Sequence, residues 1–287
     1  SGGAFYIRSG SSPTFSSNEF RNNKSSNLGG AIFIDSSDLN IIGDTYLGNW
    51  AENGGAIATQ GTMAVSISNT KALGNEANAS ILASASANGG FIYLNSGTTS
   101  SVFVNTVFSG NKSNYRSGVL RANGTSRFVN CTLSGNEAQD KGGISILFSS
   151  NNDVTEFENC IFWGNTSGLG GNDIRVNTGT ATSNYSLFDP GQSSGTISGS
   201  NNVNSDPLFT DADGADNIAG TEDDDLSLQS GSPALDLASS SVANYPSTDL
   251  LGNARSGNPD MGAYELASNS LPVISTASSV SISENST

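Results

Sequence analysis

Histidine is absent from this 287-residue chain, cysteine and tryptophan occur twice each, and only 13% of the residues are charged. Without histidine the commonest general base is missing, and so is the usual partner of a cysteine nucleophile; the two cysteines also show no metal-site spacing. Cations are scarce, with 11 Lys and Arg against 26 Asp and Glu, giving a net charge of −15. Such a surface repels phosphate backbones, which argues against a nucleic-acid partner. The few Lys and Arg are scattered in sequence and offer little to neutralise a uronate, which disfavours cleavage of acidic polysaccharides. No run approaches the roughly 18 to 20 apolar residues of a membrane span. The first residues carry no basic segment followed by an apolar core, and Ser1-Gly2-Gly3-Ala4 opens inside a repeat. The expectation is a fragment, monomeric on its own, of a longer exported chain whose signal lies upstream. So few charges suit few solvated helices. Apolar residues still make up 35% of the chain, so it is expected to fold despite its charge.

What the chain has in abundance is glycine, 34 residues, together with Asn, Ser and Thr. Gly-Gly pairs recur at Gly2-Gly3, Gly29-Gly30, Gly54-Gly55, Gly89-Gly90, Gly142-Gly143 and Gly170-Gly171, with Ser117-Gly118 filling one slot. The second residues of these pairs are 27, 25, 35, 28, 25 and 28 residues apart. A second series keeps the same beat: Phe20 to Asn23, Tyr46 to Asn49, Phe108 to Asn111, Leu133 to Asn136 and Phe162 to Asn165, with a weaker Ala72 to Asn75. A period of 20 to 50 residues implies a solenoid, and short apolar alternations punctuated by Gly and Asn imply that it is built of strands. The expected fold is all-β: a right-handed parallel β-helix of about seven coils over residues 1–205, with an irregular C-terminal cap over 206–266.

Within each coil the alternation has a bend, as in Phe103-Val104-Asn105-Thr106-Val107-Phe108. If Phe103, Thr106 and Phe108 point inward, Phe128, Cys131 and Leu133 lie over them, and then Phe157, Cys160 and Phe162. Coils about 4.8 Å apart would give a rod on the order of 30 Å long. The Asn series is expected at a tight corner, in the left-handed conformation, its amides bonded into a vertical ladder from Asn23 through Asn49, Asn75, Asn111, Asn136 and Asn165. Asn69, Asn105, Asn130 and Asn159 form a second column. Asn that merely marked exposed loops would not keep this register. Glycine at the other corner supplies positive φ.

The alternation of Gly-Gly-Ala-Ile with Phe-x-x-Asn over roughly residues 1–170 resembles the repeat of chlamydial polymorphic outer membrane proteins and related bacterial β-helix proteins. That resemblance implies an exported surface protein, a passenger or stalk, in several cases an adhesin, and it brings no catalytic residues. Asp206-Pro207-Leu208-Phe209, Ser232-Pro233-Ala234-Leu235-Asp236, Asp249-Leu250-Leu251-Gly252 and Asp260-Met261-Gly262-Ala263-Tyr264-Glu265 resemble the ending of bacterial surface proteins with a choice-of-anchor domain. It implies a folded terminus that seals the last coil.

Seven carboxylates fall between Asp211 and Asp225, and like charges so close call for neutralisation. A Ca²⁺ ion takes six to eight oxygens, and Asp-x-Asp-Gly-x-Asp offers them around a permissive glycine, without the full EF-hand pattern. The candidate ligands are Asp211, Asp213 and Asp216, then Glu222, Asp223 and Asp225; the other reading is a solvated acidic loop. Arg255, set among Asp249, Asp260 and Glu265, is expected to make a buried ion pair rather than bind substrate. Cys131 and Cys160 are expected to stack as free thiols, because vertical neighbours suit a disulfide poorly.

Function is expected to be non-catalytic: a secreted or cell-surface bacterial module acting in adhesion or as a spacer, stiffened by Ca²⁺, whose partners are surface glycans or cell-surface proteins. The alternative is a β-helix that binds or cleaves carbohydrate, in the manner of a pectate lyase. Acid pairs such as Asp35 with Asp38 and Glu156 with Glu158 read as solvated turns, and Thr keeps no column that would make an ice-binding face. A groove lined by Trp50, Tyr93, Tyr115 and Trp163 would favour glycan binding, and scattered aromatics a stalk. Residues 267–287, with Leu271-Pro272-Val273-Ile274, read as a linker and the opening strand of an immunoglobulin-like or cadherin-like module.

Overall fold

The computed structural model describes residues 2–266 apart from 9, 62, 80–86, 96–97, 122–123, 140–153, 171 and 177–178. The Gly142-Gly143-Ile144 repeat and the segment 267–287 lie outside the described residues.

The chain is a parallel β-helix of about six turns, close to the expected seven. The coils lay short strands on four successive faces. The first face holds Phe5–Arg8, Ile32–Asp35, Ile57–Gln60, Ile92–Leu94 and Leu120–Arg121. The second begins at Thr14–Ser16 and runs to Ile197–Ser198, the third runs from Glu19–Arg21 to Ile161–Trp163, and the fourth from Trp50–Ala51 to Thr166–Ser167. The strand pairings between coils are parallel among the described residues, and the expected rungs are in register: Phe103 pairs with Phe128 and Phe128 with Phe157, while Phe108 pairs with Leu133 and Leu133 with Phe162. Inward residues form one core from Phe20 to Phe188. Phe103 and Phe128 stack at 4.5 Å between ring centroids, and Phe20 and Tyr46 at 4.9 Å.

Two corners explain the asparagines. Between the second and third faces the left-handed residues include Asn69, Asn105, Asn130 and Asn159, with φ of 50°, 52°, 49° and 57°. The next side chain turns inward and donates to the carbonyl two residues back: Thr70 to Ser68 at 2.9 Å, Thr106 to Val104 at 2.9 Å, Cys131 to Val129 at 3.4 Å, Cys160 to Glu158 at 3.3 Å and Ser186 to Asn184 at 2.9 Å. Small donors therefore suit this column, and the two cysteines fill it as free, buried thiols. Burial pushes the Cys160 thiol well up from its ordinary range.

Between the third and fourth faces the sequence reading needs correction. The Asn of the Phe-x-x-Asn series is not the left-handed residue; that role falls to the residue before it, Asn22, Gly48, Gly74, Gly110, Gly135 or Gly164. Freed from the backbone task, the asparagine points inward and is buried from Asn49 to Asn165. Each Nδ2 donates to the Oδ1 of the asparagine one coil on, at 2.9 Å from Asn23 to Asn49, Asn49 to Asn75 and Asn75 to Asn111, and at 3.0 Å from Asn111 to Asn136 and Asn136 to Asn165. The same Oδ1 also accepts the preceding asparagine's backbone N–H, as Asn136 does from Asn111 at 3.0 Å. The second Nδ2 hydrogen goes to a backbone carbonyl, as from Asn136 to Phe108 at 3.0 Å. Each interior amide thus makes four bonds, the full capacity at which a buried carboxamide costs little.

Glycine is required at the remaining corner for a packing reason as well as a conformational one. Gly54 has φ of 66°, and a Cβ on Gly55 would overlap the Gly90 carbonyl of the next coil.

The segment 206–266 is laid along the flank of the rod, not across its last coil. The third face is apolar on its outside at Leu73, Val107, Ile161 and Leu187, and Phe209, Leu226, Leu228, Met261, Ala263 and Tyr264 bury themselves against it. The flank segment also bonds the second asparagine column. Gly262 N–H donates to the Asn159 carbonyl at 2.7 Å, Asn159 Nδ2 to the Ser239 carbonyl at 2.9 Å, and Asn105 Nδ2 to the Thr248 carbonyl at 3.2 Å. Arg255, its side chain fully buried, pairs with Glu265 at 3.0 Å and donates to Asn105 Oδ1 at 3.1 Å and to the Gly262 carbonyl at 2.8 Å. The expected ion pair is therefore present, but Asp249 and Asp260 bind mostly backbone amides instead of the guanidinium: Asp249 holds Leu251 and Asn253, Asp260 holds Asp236 and Leu266. Burial pushes the Glu265 carboxyl up, which the guanidinium only partly offsets.

Asn136→Ala should cost about 3 to 5 kcal/mol in urea denaturation, since it orphans buried groups on both neighbouring coils, whereas Asn23→Ala at the open end should cost about 1 kcal/mol or less. Arg255→Met should release residues 206–266 to protease while the coils remain folded; a digestion pattern identical to the parent's would contradict the anchoring role.

Candidate functional site

The acidic stretch folds as an antiparallel pair, Phe209–Asp211 with Asp225–Leu228, and a loop between them that lies against the coils. Gly220 and Ala219 meet the backbone of Gly74 and Gly110, so closely that a Cβ on Gly110 would overlap the Ala219 carbonyl. The candidate calcium ligands are drawn to separate tasks. Glu222 makes a two-pronged pair with Arg21 of the first coil, at 2.8 Å on each oxygen. Asp223 accepts from the Ala215 N–H at 2.8 Å and from Thr221 at 2.6 Å, and these bonds hold its carboxyl below the usual range. Asp216 and Asp225 accept the amides of Ile218 and Ser227, at 2.9 and 3.0 Å, while Asp211 and Asp213 are exposed. Among the described residues no three such side chains are grouped to hold a metal ion. The residue that fastens the loop is Asp224, passed over in the sequence, which accepts from Ser109 at 2.6 Å and from the Gly220 N–H at 2.7 Å. One acid among seven carries no local mark of this role.

The four aromatics singled out for glycan contact do not share a groove. Trp50 lies on the fourth face, Tyr93 on the first, Tyr115 beyond the fourth and Trp163 on the third. Of the four, Trp163 borders a cleft of about 380 Å³, together with Asn165, Thr166, Asn172, Asp173, Asp189 and Gln192. The cleft opens where the asparagine ladder ends. Asn165 donates its Nδ2 to Asp173 Oδ1 at 3.1 Å, so an aspartate receives the last bond of the file. Asp173 is buried and also accepts the Asp189 N–H at a long 3.4 Å. Burial raises its carboxyl to about 6, against the pull of the Asn165 amide. Asn172 donates to Gln192 at 2.5 Å while its own Oδ1 is buried without a partner. An aromatic wall, two carboxylates and two amides can receive the hydroxyls and the apolar face of a sugar ring. Asp173, Asp189, Asn172 and Gln192 escaped the sequence reading because the repeat loosens after Asn172 and no spacing connects them.

The acid pairs weighed in the sequence are each engaged elsewhere. Asp35 pairs with Arg8 at 3.7 Å, Asp38 accepts the Ala64 N–H at 2.9 Å, Glu156 pairs with Arg127, and Glu158 accepts from Asn184 at 3.1 Å. No helix among the described residues is long and apolar enough to cross a membrane.

Compared with known proteins, the chain matches no protein-family model, no curated protein and no solved structure. The parallel β-helix is the conclusion that the strand pairing carries; the likeness to particular surface families rests on the motifs alone.

A carboxyl raised from its ordinary value of 3.8 to about 6 on folding binds its proton more tightly in the native state. Stability therefore falls as pH rises from about 4 to about 6 and stays at the lower level above that. Asp173→Asn keeps the acceptor for Asn165 and removes the charge. The variant should be more stable than the parent at pH 7 by roughly 1 to 2 kcal/mol, with the difference vanishing below about pH 4. Urea midpoints measured across this range check it, and a pH-independent difference would refute it.

Proposed function

We propose that the chain is a non-catalytic spacer and adhesive module of an exported bacterial surface protein. The observation that carries this reading is the unbroken file of six asparagines from Asn23 to Asn165, which bonds every coil it passes to the next and makes the body a stiff rod. The flank segment splints the same coils from outside, touching Arg21 near one end and Asn159 near the other. A rod of this kind separates whatever lies at its two ends. The motif resemblance to polymorphic outer membrane repeats and to a choice-of-anchor ending supports placement at a cell surface. Calcium belongs to the same reading: Asp211, Asp213 and Asp216 are exposed and close in sequence around Gly214, and an ion that drew them together would relieve their repulsion and stiffen the splint.

A second reading is favoured by the cleft beside Trp163, where an aromatic wall faces Asp173 and Asp189. It makes the module a binder of neutral sugars, since the two carboxylates would repel an acidic one.

Single-molecule pulling tests the spacer. Extension should proceed in steps of roughly 9 nm, the contour of one coil, and the first rupture should need less force in chelator than in millimolar Ca²⁺. Featureless extension at low force would remove the spacer reading, and identical traces in both buffers would remove calcium. On a neutral-glycan array, saturable binding that Trp163→Ala abolishes would move the second reading ahead of the first.

A further inference from the structure

Four of the seven arginines pair with a carboxylate. Arg8 meets Asp35, Arg21 meets Glu19 and Glu222, Arg127 meets Glu156, and Arg255 meets Glu265. Arg116 and Arg121 do not. In a chain with 26 acids to draw on, these two guanidiniums have no carboxylate partner among the described residues. Instead each lies against a tyrosine, with Arg121 5.5 Å from the Tyr93 ring centroid and Arg116 4.7 Å from that of Tyr115. They are also near enough to repel one another, which joins burial in holding the Arg121 guanidinium below its ordinary range.

The fold builds this arrangement at one corner of the rod. Tyr93 and Arg121 are register partners on the first face, where Tyr93 points outward between the buried Ile92 and Leu94 and Arg121 follows the buried Leu120. Arg116 occupies the adjoining corner, where it bridges in parallel to Asn88 of the coil before. Arg121 reaches across to Asn88 Oδ1 at 2.5 Å, and Asn88 Nδ2 is spent on Asn53 Oδ1 at 2.7 Å, so the amide is oriented as an acceptor toward the guanidinium. Arg116 donates to the Tyr115 hydroxyl at 3.2 Å and keeps its Nε buried without an acceptor. The tyrosines are partly buried, Tyr115 against Ala77, Ala79 and Ala87. Sequence spacing alone made these arginines look scattered, and the coil geometry brings them together.

Two close cations cost free energy unless an anion joins them, and a guanidinium fork fits the planar oxygens of a carboxylate. The partly exposed tyrosine rings offer flat surface beside those oxygens, of the kind on which a sugar ring packs. A polyanion is a poor candidate, because the remainder of a molecule carrying −15 repels it at long range, whereas a ligand with one charge feels chiefly the local pair. We infer that the corner formed by Arg116, Arg121, Tyr93 and Tyr115 is a binding site for a monoanionic saccharide, its carboxylate held by the two guanidiniums. The site is on a different part of the rod from the Trp163 cleft and does not rest on a sugar binding there.

The test uses the whole chain, titrated at constant ionic strength with glucuronate, with glucose and with inorganic sulfate, followed by calorimetry and by the ring resonances of Tyr93 and Tyr115. Glucuronate should bind saturably and shift both rings, weaken as salt is raised, and bind about tenfold less tightly to Arg116→Gln or Arg121→Gln. Glucose should leave the rings unmoved, and Trp163→Ala should bind glucuronate like the parent. An equal response to glucose, or unchanged affinity in both arginine variants, would overturn the assignment. Sulfate binding as tightly as glucuronate would overturn its saccharide part, leaving recognition of charge alone. If either variant loses its circular dichroism spectrum, the ring shifts in the parent decide: glucuronate that moves neither Tyr93 nor Tyr115 defeats the proposal.

Discussion

Vertical registration of the coils is the constraint on which everything else in this molecule depends. A parallel pairing fixes each residue over its counterpart at strand spacing, and side chains that bond to copies of themselves then add along the rod. Asparagine is the residue that can do this in a buried file, because its amide donates and accepts in equal number. The interior amides from Asn49 to Asn136 use that capacity fully, on the neighbouring asparagines and on backbone left open by the turn. Slipping one coil by a single residue would strand those groups and also turn Phe103 or Phe128 outward. Polar file and aromatic core therefore enforce the same register from two sides.

That shared enforcement explains why the fold was legible in the sequence while much of the surface was not. Gly-Gly pairs and Phe-x-x-Asn recur because every coil meets the same corner, so the repeat exposed the coil boundaries, the inward aromatics and the ladder. The backbone role of the ladder asparagines was misread for a related reason. Both members of the Gly-Asn dipeptide accept positive φ, and composition cannot say which of the two takes it; Gly110 does, and Asn111 turns inward. The calcium candidates show the opposite limit. Charge density located the loop, but Glu222 reaching Arg21 across 201 residues of sequence, and Asp224 reaching Ser109, are tertiary outcomes with no periodic signature.

The flank segment shows how a solenoid can acquire an outside as ordered as its inside. Leu73, Val107, Ile161 and Leu187 make a stripe on the third face that water would penalise, and the covering side chains convert it into a second core. The second asparagine column, left-handed at Asn105, Asn130 and Asn159, is too far out to bond wholly to itself. Asn105 joins Asn69, and Asn159 joins Asn130, but Asn105 turns its oxygen to Arg255. One residue type thus serves two ends: where the corner faces inward it ties coil to coil, and where it faces outward it ties the coils to their cover.

Chemistry collects where the repeat is broken. The ladder ends in Asp173 because the coil that would supply another asparagine has changed its course, and a carboxylate closes the file at the edge of a cleft. Arg116 likewise interrupts a corner that earlier coils fill with Asn53 and Asn88, and Arg121 reaches back to that corner through Asn88. A residue bound by the repeat is constrained by its copies above and below, so it has little freedom to meet a ligand. A residue that departs from its column gives up those copies, and the fold then has to be stabilised by partners of another kind. For Arg255 the partner is internal, Glu265. For Arg116 and Arg121 the internal partners are aromatic rings, which orient a guanidinium without discharging it, and the charge is left turned toward whatever approaches that corner.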